Sequence, residues 1–240
     1  MLAVDLRDYG WDKGRRWDLL ISQSDQPSDK RAGYPYGLAR GSDEARRVYE
    51  LTNCDLPYIR ADWFIYNASR PPLYHDLLAL PSNQKALETE LNVNSVENFD
   101  RDRVKRAAFR KSGVSDQARM VQHQEALHGA YWDSFDNETD GGDADFFTKP
   151  LGPIISGRNN RAAFKHAGGE VIFHLPNHML AFYLATDTGV RITEGPIKIV
   201  RDPQSFSGTN AIVNGISCMG CHRQGFIKFT DTVRGLATNA

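Results

Sequence analysis

The segment Ser217-Cys218-Met219-Gly220-Cys221-His222 holds two thiols two residues apart, with an imidazole directly after the second. This C-x-x-C-H spacing is that of covalent haem attachment. Two intervening residues let both thiols reach the two vinyl groups of a porphyrin from one turn of chain. The adjacent histidine is then carried under the ring, where an imidazole nitrogen binds iron. The expected cofactor is therefore one covalent haem c, held by Cys218, Cys221 and His222. Other chemistries for the same residues stay open. A zinc site would need a fourth ligand and closed geometry. A thioredoxin-like dithiol would want a βαβ frame, and only the short apolar Ala211-Ile212-Val213 precedes the motif. A plain disulfide leaves the histidine unexplained. The third cysteine, Cys54, is expected to be an ordinary, partly buried thiol.

Iron in a c-type centre takes one ligand from the motif and often a second from elsewhere. Residues 223–240 contain neither histidine nor methionine. A second ligand from this chain is therefore expected upstream, among His75, His123, His128, His166, His174, His178, Met120 and Met179. Otherwise the position is open or filled by another segment or subunit. One-electron transfer is the leading expectation, since two axial ligands support Fe(III)/Fe(II) cycling. A peroxidase-like haem enzyme is the alternative, with His75 or His123 as a base beside an open iron face. A sensory or docking module, reporting to attached domains, is a third.

Several elements are expected to position these groups. The first forty residues mix aromatics with Gly, Pro and Asp, which implies irregular structure with one short helix over Gly14 to Ile21. Ser42 reads as the cap of a helix over Asp43 to Glu50. Pro71-Pro72 opens another at Leu73, with Leu73, Leu77 and Leu80 on one face and His75 off it. Further helices are predicted from Ser82 to Leu91, from Ser95 to Lys111 and from Ser115 to about Trp132. Asn137 to Asp145 reads as an exposed loop. Beyond it, Glu170 to Leu175 and Leu180 to Thr186 are rich in branched and aromatic residues and predict a hairpin, followed by Val190 to Thr193. The expected architecture is one α+β domain over 1–240. It has a helical part at about 42–132, an antiparallel β-hairpin part at about 168–200 and a haem attachment segment at 210–234.

Hydrophobic residues make up 40% of the chain and charged ones 25%, which suits a soluble globular protein with a real core. The near balance of 29 basic against 30 acidic residues gives no reason to expect nucleic acid or an anionic membrane as a partner. No apolar run of about eighteen residues exists to span a bilayer. The first eight residues carry charges where a signal peptide needs its apolar stretch, so a signal has been removed or the chain is a segment of a longer exported protein.

Several stretches resemble a family of secreted, largely uncharacterised bacterial proteins with a single C-x-x-C-H near the end of such a region. They include Arg60-Ala-Asp-Trp-Phe64, Ala68-Ser-Arg-Pro-Pro-Leu-Tyr-His75, Gly129-Ala-Tyr-Trp132, Pro150-Leu-Gly-Pro153, Gly168-Gly-Glu-Val-Ile-Phe173, Leu175-Pro-Asn177 and Asn214 to His222. The resemblance extends over most of residues 60 to 234. It implies haem c and an exported, periplasmic or extracellular, location; the partners expected from the function readings are a redox partner protein or attached domains. It also places histidines at positions matching His75 and His123, which ranks them first and second for the sixth ligand, ahead of Met179. This chain has His178-Met179 where the family usually has Gly-Leu. Arg60, Arg70 and Arg223 are candidates for pairing with haem propionates, and Trp63, Tyr74 and Trp132 for packing on the porphyrin.

Overall fold

A computed structural model describes residues 3–5, 42–52, 59–137, 149, 151–153 and 162–231. The expected helix at Gly14 to Ile21, Cys54 and most of the loop after Asn137 lie outside these residues. The chain forms two compact units, 1–80 and 81–240.

In the first unit, β1 (Ala3–Val4) pairs antiparallel with β2 (Ile59–Arg60). Helix α1 (Asp43–Thr52) begins where its sequence says it should. Ser42 Oγ accepts from the Ala45 N–H at 3.1 Å, satisfying one of the first-turn donors that a helix cannot satisfy itself. Helix α2 (Ala61–Ala68) follows β2 directly. Helix α3 (Leu73–Leu77) starts after Pro71-Pro72 and buries Leu73, Tyr74 and His75. His75 is thus interior, although it falls off the leucine stripe.

In the second unit, α4 (Gln84–Glu90) is capped by Asn83, whose Oδ1 accepts from the Lys85 N–H at 2.8 Å, and not by Ser82. Helix α5 (Ser95–Asp100) is capped by Asn94 and ends far short of Lys111. From Lys105 the chain is a sheet. Strands β3 (Lys105–Arg110), β4 (Ala118–Ala126) and β5 (Gly129–Asp136) are joined laterally to β8 (Gly168–His174) and β9 (Leu180–Thr186) in the order β3-β4-β5-β8-β9, antiparallel throughout. Two short strands, β6 (Gly152–Pro153) and β7 (Ala163–Phe164), pair in parallel. The expected hairpin is present as β8 and β9, while Val190 to Thr193 forms only isolated bridges. The protein is α+β, as expected.

The expectation of helices over 95–111 and 115–132 is corrected for residues 105 onward. Met120, Leu127 and Tyr131 do fall at helical spacing, but the burial has a period of two. Ala118, Met120, Gln122 and Gln124 of β4 are buried on one face, as are Tyr131, Asp133 and Phe135 of β5. Three of those seven are polar, so apolar alternation does not reveal the strands. Gln122 accepts from Arg106 Nε of β3 at 2.9 Å, and helices α4 and α5 satisfy the other two. Gln84 Nε2 donates to Asp133 at 2.8 Å and to the Tyr131 hydroxyl at 3.0 Å. Asn98 donates to Gln124, which donates in turn to Ser95. The opposite face of the sheet carries the candidate site.

Candidate haem attachment site

The motif lies on α6 (Ile216–Cys221), with His222 at its C-cap. Gly215, at the N-cap, has φ +88°, a conformation open to glycine and strained for other residues. Residues 218, 221 and 222 stand at i, i+3 and i+4, so their side chains emerge on one face of the helix. Gly220 is on another, where an added Cβ would run into the Phe206 ring. Phe206 is itself placed by the buried Asp202, whose Oδ2 accepts from the Phe206 N–H at 2.8 Å.

Cys218, Cys221 and His222 all border a cavity of about 710 Å³ in the second unit. Its floor is the sheet, including Trp132, Ile172 and Leu184, and Val200 and Ile212 contribute from the loops before α6. Volume and apolar lining fall within the range of cofactor sites. Cys218 is 3% exposed and packs on Ile172 and Phe182, with Trp132 and Leu180 alongside. Burial pushes its thiol well up from the ordinary value, and the Glu170 carboxyl adds to the shift. Burial also raises Cys221, with Asp202 and Glu170 contributing. Both are free thiols here. Raised values keep them protonated, the reverse of what a redox dithiol requires.

His222 has a defined orientation. Its N–H donates to the Cys218 carbonyl at 2.8 Å, and its Nδ1 lies 3.2 Å from the Gly225 carbonyl. A carbonyl only accepts, so Nδ1 carries the proton in this contact and Nε2 keeps its lone pair. Fixing one ring nitrogen on a backbone carbonyl is how proteins prepare a histidine to ligate through the other. Phe182 flanks the imidazole at 5.6 Å between centroids and Phe226 at 6.4 Å. Among the described residues no three His, Cys, Asp or Glu side chains converge as a metal cluster. The donor set fits haem, which asks this motif for one iron ligand and two thioethers. The indole Nε1 of Trp132, a lining residue, is buried without a hydrogen-bond partner.

The other candidates are dispersed. Among the described residues lining the cavity, His222 is the only histidine and there is no methionine. His123 shares the cavity-facing side of β4 but stacks on Trp132 at 4.4 Å, and Trp132 contacts Phe226 at 4.8 Å, so two rings stand between it and His222. Burial lowers its basicity, as does Lys105. His174 Nδ1 accepts from the Ala130 N–H at 3.0 Å. His166 meets Phe135 edge-on at 5.3 Å, and Met120 belongs to a core cluster on the far face of the sheet. Met179 is 66% exposed on the β8–β9 turn beside the exposed His178. His128 is half-buried in the β4–β5 turn. His75 and Tyr74 are buried in the first unit, where Trp63 is half-buried.

Of the arginines expected at propionates, Arg60 makes a bidentate pair with Asp62 and Arg70 lies 4.0 Å over the Tyr66 ring, both in the first unit. Arg223 is exposed. The charged residues that do line the cavity, Glu170, Arg119, Lys111 and Lys228 among them, were not singled out by any motif. Glu170 was within reach of sequence reasoning: it lies in a predicted strand in phase with Ile172. Comparison with known proteins gives no match to a protein family, a curated protein or a solved structure.

Proposed function

We propose that the chain is a monohaem c-type cytochrome that transfers single electrons, with thioether links at Cys218 and Cys221 and His222 as an axial ligand. The observation that carries this reading is the convergence of the three side chains from one face of α6 on a 710 Å³ apolar cavity. A haem there supplies a one-electron Fe(III)/Fe(II) couple whose potential follows its ligands and burial. Ile172, Phe182 and Trp132 exclude water around the tether, and Gly225 holds the His222 ring with Nε2 available. The resemblance to secreted bacterial C-x-x-C-H proteins supports the same reading. With it go a periplasmic or extracellular location and a redox partner protein or attached domains. No helix among the described residues is long and apolar enough to cross a membrane.

The test is expression in an export host competent for haem attachment, followed by intact mass and a pyridine haemochrome spectrum. A mass gain of one haem, with the spectrum of two saturated vinyl positions, is expected; no gain overturns the reading. A second reading, a peroxidase-like haem enzyme, is favoured by one observation: His222 is the only histidine or methionine among the described lining residues. The electronic spectrum separates the two. A six-coordinate low-spin centre in both oxidation states supports the carrier, and a five-coordinate high-spin centre supports the enzyme.

A further inference from the structure

The two ends of the cavity differ in charge. Cys218 sits at one end, over Ile172 of β8 and Phe182 of β9. The lining cations gather at the other. Arg110 and Lys111 stand where β3 ends, Arg119 is on β4, and Lys228 lies in a segment held to β3 by the Phe109–Phe229 ring contact at 4.4 Å. Three strand spacings of about 4.8 Å separate β3 from β8, roughly 14 Å across the sheet, and Arg110 lies further along β3 than Lys105, the residue in register with Ile172. Arg119 is already engaged by Asp136 through two 2.8 Å hydrogen bonds. Arg110, Lys111 and Lys228 are exposed and make no ion pair among the described residues. The other lining acids are Glu194, Asp133 and Glu170; Asp133 accepts from Gln84, and Glu170 is hydrogen-bonded toward the Cys218 end.

We propose that Lys111 and Lys228, with Arg110 beside them, receive the two carboxylates of the tethered group and so fix its orientation in the cavity. The inference rests on the haem reading above. A porphyrin bonded through its two vinyl positions carries both propionates on the opposite edge. A ring held at the cysteine end therefore presents its anions to the cationic end, where charge-assisted hydrogen bonds from ammonium and guanidinium groups are strong. The apolar floor between the two ends, Val121 of β4 and Trp132 of β5, suits the body of such a ring.

The test uses the holoprotein with K111E and K228E combined. Removing cations from the propionate edge favours Fe(III), so the oxidised-to-reduced ratio at a fixed potential is expected to rise about tenfold. The midpoint should also gain pH dependence near pH 5–7, as propionates lose the charges that keep them ionised. K111R with K228R should behave as wild type. If the reversed pair does not fold, K111Q with K228Q is read the same way, with a smaller shift. An unchanged ratio and pH profile in protein that still carries one haem by mass overturns the assignment. So does an equal effect from K198E with R201E, two exposed cations that do not line the cavity. Absence of haem from the wild-type chain refutes the earlier reading instead, which keeps the two failures apart.

Discussion

Replacing Arg119 by Met should cost far more than a surface charge would. Arg119 and Asp136 face each other across β4 and β5, with Nε and Nη2 each 2.8 Å from a carboxylate oxygen. Their side chains are 10% and 5% exposed, so little water reaches either partner. Burial alone would lower the Arg119 pKa, but the Asp136 carboxylate more than offsets this and leaves it above the ordinary value. Removing one partner of such a pair strands a buried charge, at about 3–5 kcal/mol. For a unit of this size that corresponds to a melting temperature lower by about 6–20 °C. Replacing both, Arg119→Met with Asp136→Leu, leaves no stranded charge and should return stability to within about 1 kcal/mol of wild type. Urea unfolding of the two single variants and the double gives the coupling energy directly. Single variants that each cost under about 1 kcal/mol, or a double variant that is simply additive, would refute the view that the pair is desolvated and interdependent.

Other outcomes follow from the same structure. Gly220→Ala, which in an exposed helix would stabilise by about 1 kcal/mol, should instead lower the melting temperature, because the new methyl meets the Phe206 ring; an equal or higher melting temperature contradicts that packing. Cys221→Ala should leave a haem held by the single Cys218 thioether, with one unsaturated vinyl in the pyridine haemochrome spectrum, and Cys218→Ala with Cys221→Ala should abolish the covalent mass gain. Asp133 gives a pH dependence of definite sign. Burial pushes its carboxyl well above the ordinary 3.8, with Glu88 adding to the shift. The folded protein therefore binds this proton more tightly than the unfolded chain, so stability is highest below about pH 4 for this group and falls as pH rises toward the folded value. Asp133→Asn keeps an acceptor for Gln84 and should flatten that part of a urea-midpoint profile; an unchanged slope argues against a carboxyl that stays neutral.

Much of the framework was legible because single residues announce it. Ser42 starts α1, Pro71-Pro72 open α3, and the branched residues of β8 and β9 alternate in the open. The sheet from Lys105 to Asp136 was hidden because Gln122, Gln124 and Asp133 occupy core positions, and their partners Arg106, Asn98 and Gln84 are 16, 26 and 49 residues away. A local pattern cannot price a polar side chain whose hydrogen bond is made only after folding. The same limit divides the candidate site. The two thiols and the imidazole are neighbours in sequence and were legible as such. Lys111 and Lys228, far apart in sequence, both line the cavity, and their neighbours Phe109 and Phe229 are in ring contact.

Burial of Cys218 also imposes a timetable. The sulfur belongs to a residue only 3% exposed, packed against Ile172 and Phe182 once the C-terminal segment has docked on the sheet. On the proposed haem reading, attachment would be easiest while residues 211–222 are still loose, with closure following. The final folding step would then seal a product already made, and slowing the docking would lengthen the interval in which maturation can occur.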